Sequence, residues 1–294
     1  MRRLALAAVL ALAAAAAGAA DAPKRATPQA VVEAVQMPAW IDHGGTRAPL
    51  AVGTELRATD KVVTGANARL LVKLAEGSSL KLGENAQLRI GDLRTREDNV
   101  FAAAMNVLAG AFRFTTDVVA KARRREVSIT VATVTAGIRG TDFWGKAAPD
   151  RDIVCLIEGK VELERAGDPN VNLDQPLTFY VAPRGKPPLP VRPVEPDQLK
   201  QWAAEVEVES GRGAARRGGK WQVVLASSES QNEALKVYEQ VRYAGYAARI
   251  EPLKVEGKRV YDVRIASLPS KAEAQALADA LAGKYGAAAP RVTQ

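Results

Sequence analysis

Leucine, valine and isoleucine alternate with charged or small residues through much of the first 180 positions, the two-residue period of strands with one buried face. Leu70, Val72 and Leu74 alternate with Leu71, Lys73 and Ala75; Glu76-Gly77 then turns the chain into Ser79-Leu80-Lys81-Leu82, and Leu88 and Ile90 resume the alternation after Asn85. This predicts a hairpin followed by a third strand. Further strands are expected over 108–115, 127–134, 153–158 and 161–165, with Gly159-Lys160 as the turn between the last two. Helical periodicity is nearly absent, so residues 31–182 read as an all-β domain, a sandwich or a β-roll. The densest run, Val131 to Trp144, reads as two strands meeting at a bend, with Gly137 and Gly140 permitting sharp geometry. Arg139, Gly140 and Asp142 are expected to form a structural corner there, Arg139 pairing with Asp142 because polar groups buried at a corner need partners.

The pattern breaks at Pro183. Pro183, Pro187, Pro188, Pro190, Pro193 and Pro196 fall within fourteen residues, a composition that favours extended geometry and predicts a stiff spacer. Asp197 to Glu209 reads as a short helix with Asp197 as N-cap and Leu199, Trp202, Ala203 and Val206 on one face. A Gly- and Arg-rich stretch, Gly211 to Gly219, completes a linker over residues 183–219.

Residues 220–294 repeat internally at an offset of forty positions. Trp221, Val223, Leu225, Ser230, Glu233, Ala234 and Val237 correspond to Tyr261, Val263, Ile265, Ser270, Glu273, Ala274 and Leu277. Ser230 and Glu233, and again Ser270 and Glu273, have the spacing of capping boxes, which marks two helix starts. Gly245 and Gly283 are suited to ending those helices. With closing strands over 247–253 and 290–293, the expected architecture is a small α+β ferredoxin-like βαββαβ sheet with both helices on one face. Alternation then places Trp221, Val223, Leu225, Ile250, Tyr261, Val263 and Ile265 toward the helices, and Gln222, Arg249, Glu251, Asp262 and Arg264 toward solvent. Amide, guanidinium and carboxylate groups on one open face suit a hydroxyl-rich or anionic polymer.

Composition narrows the chemistry. Lys and Arg number 41 against 33 Asp and Glu, a net +8 that tolerates anionic partners without identifying one. Arg2-Arg3, an apolar run from Leu4 to Ala17 and the small residues Ala17-Gly18-Ala19-Ala20 form a cleavable export leader over residues 1–20, with the mature chain starting near Ala20 or Asp21. The expected mature chain is secreted and soluble, with no transmembrane segment. The single cysteine, Cys155, lies in the apolar run Ile153 to Ile157 and reads as a buried small hydrophobe. Phe101 and Met105 are expected to pack, and Lys121 to Arg125 to form a solvated loop. His43 is the only histidine; zinc sites needing two or three histidines are thereby excluded, and its Asp42-His43-Gly44-Gly45 turn makes it an exposed bystander. No catalytic residue, metal site or cofactor is expected. No carboxylate pair stands out for a glycosidase. A nucleic-acid partner is disfavoured because the sheet lacks exposed aromatics and the chain is exported.

Several blocks resemble the FecR domain family: Pro49-Leu50-x-Val52-Gly53, Asp60-x-Val62-x-Thr64-Gly65, Gly77-Ser78-x-Leu80-x-Leu82, Leu108-x-Gly110-x-Phe112-Arg113-Phe114, Arg139-Gly140-Thr141-Asp142-Phe143 and Glu158-Gly159-x-Val161. The resemblance implies an extracytoplasmic β-rich domain without known catalytic chemistry, some relatives of which relay a signal across a membrane to a sigma factor. Here a cleavable leader stands where those relays carry a membrane-spanning helix. Residues 221–293 resemble the SPOR domain through Trp221-Gln222-Val223, Asn232-Glu233-Ala234, Ala244-Gly245-Tyr246, Tyr261-x-Val263-Arg264-Ile265 and Ala272-Glu273-Ala274. That resemblance implies binding of peptidoglycan glycan stripped of its peptides, with Gln222, Arg249, Arg264, Ser227 and Ser267 as the candidate glycan-binding residues. Two departures stand out: Ala226-Ser227-Ser228 replaces the usual Gly-Ser-Phe, and Asp262 puts a negative charge on the expected binding face, opposing an acidic glycan. The expectation is a non-catalytic envelope protein whose FecR-like domain engages another envelope component. The alternatives are a FecR-type regulatory protein or a cell-wall hydrolase without recognisable motifs.

Overall fold

The alternation around Leu70 to Leu82 is realised as a hairpin, Arg69–Leu74 paired with Ser79–Leu82 across the Glu76-Gly77 turn, with Gly77 at φ 105°. The computed structural model describes residues 27–116 and 124–294, so the leader and Lys121 to Arg123 of the basic run lie outside the described residues. In chain order the strands are β1 (Ala30–Gln36), β2 (Ala39–His43), β3 (Thr46–Pro49), β4 (Lys61–Thr64), β5 (Arg69–Leu74), β6 (Ser79–Leu82), β7 (Gln87–Thr95), β8 (Phe101–Thr115), β9 (Arg125–Val131), β10 (Val134–Ala147), β11 (Arg151–Arg165), β12 (Val171–Leu173), β13 (Thr178–Pro183) and β14 (Leu189–Pro193). Helix α1 (Pro196–Ala204) and β15 (Ala215–Arg216) follow; then come β16 (Trp221–Ser228), α2 (Gln231–Tyr243), β17 (Arg249–Val255), β18 (Lys258–Leu268), α3 (Lys271–Leu281) and β19 (Arg291–Thr293).

Strands β1 to β15 join one hydrogen-bonded sheet in which the long strands change partners midway. β8 begins parallel to β9 and ends antiparallel to β6 and β10. β10 leaves β9 at Ile138 and takes up β8 at Asp142, while β11 follows it along its whole length. The expected bend between two strands is therefore a bulge inside one strand: the register shifts between Arg139 and Asp142, and the hairpin turn lies earlier, at Ala132-Thr133. The expected turn at Gly159-Lys160 is likewise interior to β11. Gly140 and Gly159 both take positive φ, 64° and 90°, and a Cβ on Gly159 would come within 2.5 Å of the Gly140 carbonyl oxygen. Gly159 thus allows two backbones to approach, a use that local sequence does not distinguish from a turn.

The sheet is buried on both faces where β10, β11 and β13 run together. Phe143 and Leu156, with Phe112 and Phe114, belong to the main core; the next residues in register, Trp144 and Cys155, face a second core with Phe179, Val181, Trp202 and Val206. Two-sided burial explains why Ile153 to Ile157 is continuously apolar rather than alternating. α1 supplies the cover, so residues 183–219, read as a linker opening with a stiff spacer, are instead joined to the sheet. The proline tract forms β14 along β13, at the sheet edge where proline is tolerated. Pro196 occupies the first helical position after the N-cap Glu195, so the helix starts before Asp197 and ends at Ala204, short of Glu209. β15 then pairs with β1.

The C-terminal region has the order β-α-β-β-α-β and an antiparallel sheet, β17-β18-β16-β19, with α2 and α3 packed on it. Ser230 and Ser270 each accept the backbone N–H three residues on, as helix caps do. The reciprocal half of the second box is diverted. The buried Glu273 carboxylate accepts the backbone amides of Gly211 (2.6 Å), Gly213 (2.7 Å) and Ala214 (3.1 Å), fastening the glycine-rich stretch to α3. The two regions also meet directly. Gly245, at φ 89° after α2, lies against Pro38 and Trp40, its carbonyl accepts the Ala39 amide at 3.0 Å, and the Trp40 indole donates to the Tyr243 carbonyl at 3.3 Å.

Candidate functional site

The face of the C-terminal sheet away from its helices carries a polar cluster set by cross-strand register. Arg249 lies opposite Arg264 and Glu251 opposite Asp262 on one side; Val224 and Ser227 lie opposite Arg264 and Asp262 on the other. Plain alternation in β16 would not put Ser227 with Gln222 and Val224. A register shift between Val224 and Ala226 inserts one residue and brings Ser227 to this face.

Asp262 is the hub. Its carboxylate accepts the Ser227 hydroxyl and the Arg264 guanidinium (2.7 Å), and Arg291 of β19 stands 3.5 Å away. Arg264 also reaches Glu251 at 3.1 Å and Gln222 at 3.3 Å, while its Nε is buried without a hydrogen-bond partner. Both were expected to face solvent. Instead the Asp262 and Arg264 side chains keep only 3 % and 10 % of their exposure. Arg249 and Ser227 are exposed, and Arg291 retains 64 %. Three guanidiniums thus stand against two carboxylates, and the charge of Asp262 is spent within the cluster rather than presented outward. The structure brings Gln222, Ser227 and Arg264 together and sets Arg249 alongside. Ser267 is five residues along β18 from Asp262, at φ 67° beside Gly219, and among the described residues no side-chain hydrogen bond joins it to the cluster. Arg291 was missed, although alternation in the closing strand could have placed it on this face.

At the corner of the β region, Asp142 accepts Arg113 Nε (2.9 Å) and Nη2 (2.7 Å) and the Thr115 hydroxyl (3.2 Å). The Arg139 side chain lies outside the described ones. The Arg113 guanidinium is held above its usual pKa chiefly by its bonds to Asp142, with Glu207 adding to the effect. Lys81 with Glu207 and Lys146 with Glu205 (2.9 Å) tie the residues after α1 to the same face. These contacts describe a brace. His43 is exposed, and its Nδ1 lies 2.5 Å from the buried Asp60 carboxylate, which also accepts the Arg57 amide. Phe101 and Met105 are buried.

A trough of about 1340 Å3 crosses β7 to β12. Ala102, Ala104, Ser128 and Gly137 line it beside Arg94 and Glu162, and its four cationic residues are matched by four acidic ones. Among the described residues, no three His, Cys, Asp or Glu side chains group as metal ligands, and no helix is long and apolar enough to cross a membrane.

Comparison with known proteins follows the same division. Residues 60–162 match the family model described as FecR protein, and residues 218–291 match that of the SPOR domain. Among curated proteins none matches the chain. Two crystal structures titled as a "putative anti-sigma factor" from Parabacteroides distasonis ATCC 8503 are similar at 14 % and 13 % identity, each with a TM-score of 0.40, over 75 % of this chain and 89 % of theirs. The chain therefore carries a FecR region over residues 60–162 followed by a SPOR domain over residues 218–291, in that order.

Proposed function

We propose that this is a non-catalytic protein of the bacterial periplasm, exported through its leader, whose C-terminal region holds peptide-stripped peptidoglycan glycan while the FecR region engages another envelope component. The carrying observation is the Asp262 cluster: Gln222, Ser227 and exposed Arg249 and Arg291 stand on one sheet face within the SPOR match. Such groups meet hydroxyls, amides and scattered carboxylates of a glycan; buried Asp262 holds Ser227 and Arg291 in place, and Arg264 holds Gln222. We read the C-terminal region as ferredoxin-like, which its element and strand order supports. The β region reads as a sandwich or roll, supported by long strands that exchange partners and by cores on both sheet faces.

The test is sedimentation of the full chain with purified sacculi before and after amidase treatment. Amidase-treated sacculi should retain more protein, and Arg249→Gln with Arg291→Gln and Gln222→Ala should release it. Equal sedimentation of that triple variant removes the sheet face from the reading, and turnover of wall polymer in a zymogram overturns the non-catalytic assignment. N-terminal sequencing of the periplasmic fraction tests export.

A further inference from the structure

Tyr243 is 90 % exposed at the end of α2, and Leu235, two turns earlier, is exposed as well. Beside this stripe the β2–β3 hairpin and α2 enclose a cleft of about 610 Å3, within the roughly 300–1,000 Å3 of small-ligand sites. Two guanidiniums enter it, each parked on an aromatic ring: Arg47 over Trp40 at 5.0 Å from the centroid and Arg242 over Tyr238 at 5.1 Å. Stacking holds a guanidinium flat and leaves its N–H edge free to meet an anion. Neither charge is well spent within the chain. Arg47 approaches Asp42 only to 3.7 Å, and Arg242 makes no ion pair among the described residues. Trp40 is fixed by its bond to the Tyr243 carbonyl and by Gly245 behind it.

We infer that this cleft binds a sugar ring bearing one carboxylate, with Arg47 and Arg242 taking the carboxylate and the open ring of Tyr243 meeting the C–H face of the sugar. Glu239, which also lines the cleft, accepts hydrogen bonds from sugar hydroxyls, and its charge disfavours a peptide carrying several carboxylates. The assignment rests on the glycan reading above, since peptide-stripped glycan presents lactyl carboxylates on its sugars. It adds a second contact, on the helix side of the C-terminal sheet and built partly from the β region. The site therefore exists only while the two regions are docked through Trp40 and Gly245.

The test titrates N-acetylmuramic acid, and neutral N-acetylglucosamine as control, into the full chain by calorimetry. The acidic sugar should bind at least about tenfold more tightly, a difference of roughly 1.4 kcal/mol. Arg47→Gln with Arg242→Gln should erase that preference, and Tyr243→Ala should weaken both sugars; Arg47 and Tyr243 are exposed and Arg242 is half-buried, and circular dichroism checks the fold. Equal binding of the two sugars, unchanged binding by the double arginine variant, or tighter binding of a Glu-Tyr-Glu peptide at the cleft overturns the proposal. If Arg249→Gln with Arg291→Gln leaves sacculus sedimentation unchanged while the cleft variant loses N-acetylmuramic acid, the sheet-face reading falls and the cleft stands. The reverse pattern overturns the cleft alone.

Discussion

Trp202 of α1 lies flat on Trp144 of β10, with ring centroids 4.5 Å apart and planes 6° apart, and Phe179 meets Trp202 edge-on at 5.4 Å. This stack joins the segment after the proline tract to the β sheet and gives the sheet its second buried face. Trp202→Ala should therefore destabilise the β region by about 3–5 kcal/mol, the usual cost of deleting a buried aromatic. Urea unfolding followed by circular dichroism measures it; a loss near zero would mean that α1 is a passenger.

Cys155 lies under the same stack, and burial raises its thiol pKa from 9.0 to about 12. The native thiol should resist a disulfide reagent at pH 8 and react at the rate of unfolding, whereas in Trp202→Ala it should react faster. The folded pKa exceeds the unfolded one, so the fold holds the proton more tightly. This contribution is fully present below pH 9.0 and is lost as pH rises toward about 12. Cys155→Ala should flatten that alkaline limb of the stability curve.

Glu273 accepts three backbone amides from the glycine-rich stretch. Glu273→Ala strands buried donors that cost about 1–3 kcal/mol each, so a loss of roughly 3 kcal/mol or more is expected. Limited proteolysis should then cut near Gly211 to Gly213 before any other described site. Glu273→Gln, which keeps one acceptor, should fall between the two.

Asp262 and Arg264 are a nearly buried ion pair, and removing one partner leaves the other charge uncompensated. Arg264→Ala should cost about 3–5 kcal/mol of stability, and glycan binding lost in that variant would be uninformative by itself. Arg249→Gln and Arg291→Gln act on exposed side chains and should change stability by less than about 0.5 kcal/mol. Chemical denaturation of the three variants beside the sedimentation assay separates a folding defect from a binding one.

Period-two alternation was legible wherever a strand has one wet face, as in Leu70 to Leu82, and so were the two helix starts at Ser230 and Ser270, because a cap is a local bond between residues three apart. Glycines were harder. Gly77 serves a turn, while Gly159 permits the approach of β11 to β10, and nothing within a few residues of either separates the two uses. On the sheet face, Gln222 and Arg264 were placed by alternation, whereas Ser227 reaches them through a bulge and Arg291 through a three-residue strand.

From the amino-acid order alone came the β region, the repeated halves of the C-terminal region, their caps and the placing of Gln222 and Arg264 on one sheet face, since each follows from periodicity or short-range hydrogen bonding. Tertiary structure alone decided that residues 183–219 are tied to the sheet through β14, α1 and β15, that Glu273 serves the linker instead of its own helix, and that Asp262 is neutralised inside a cluster. The reason is physical: these outcomes depend on which distant backbones and charges come within about 3 Å of one another, the range over which hydrogen bonds form. No local pattern encodes that proximity.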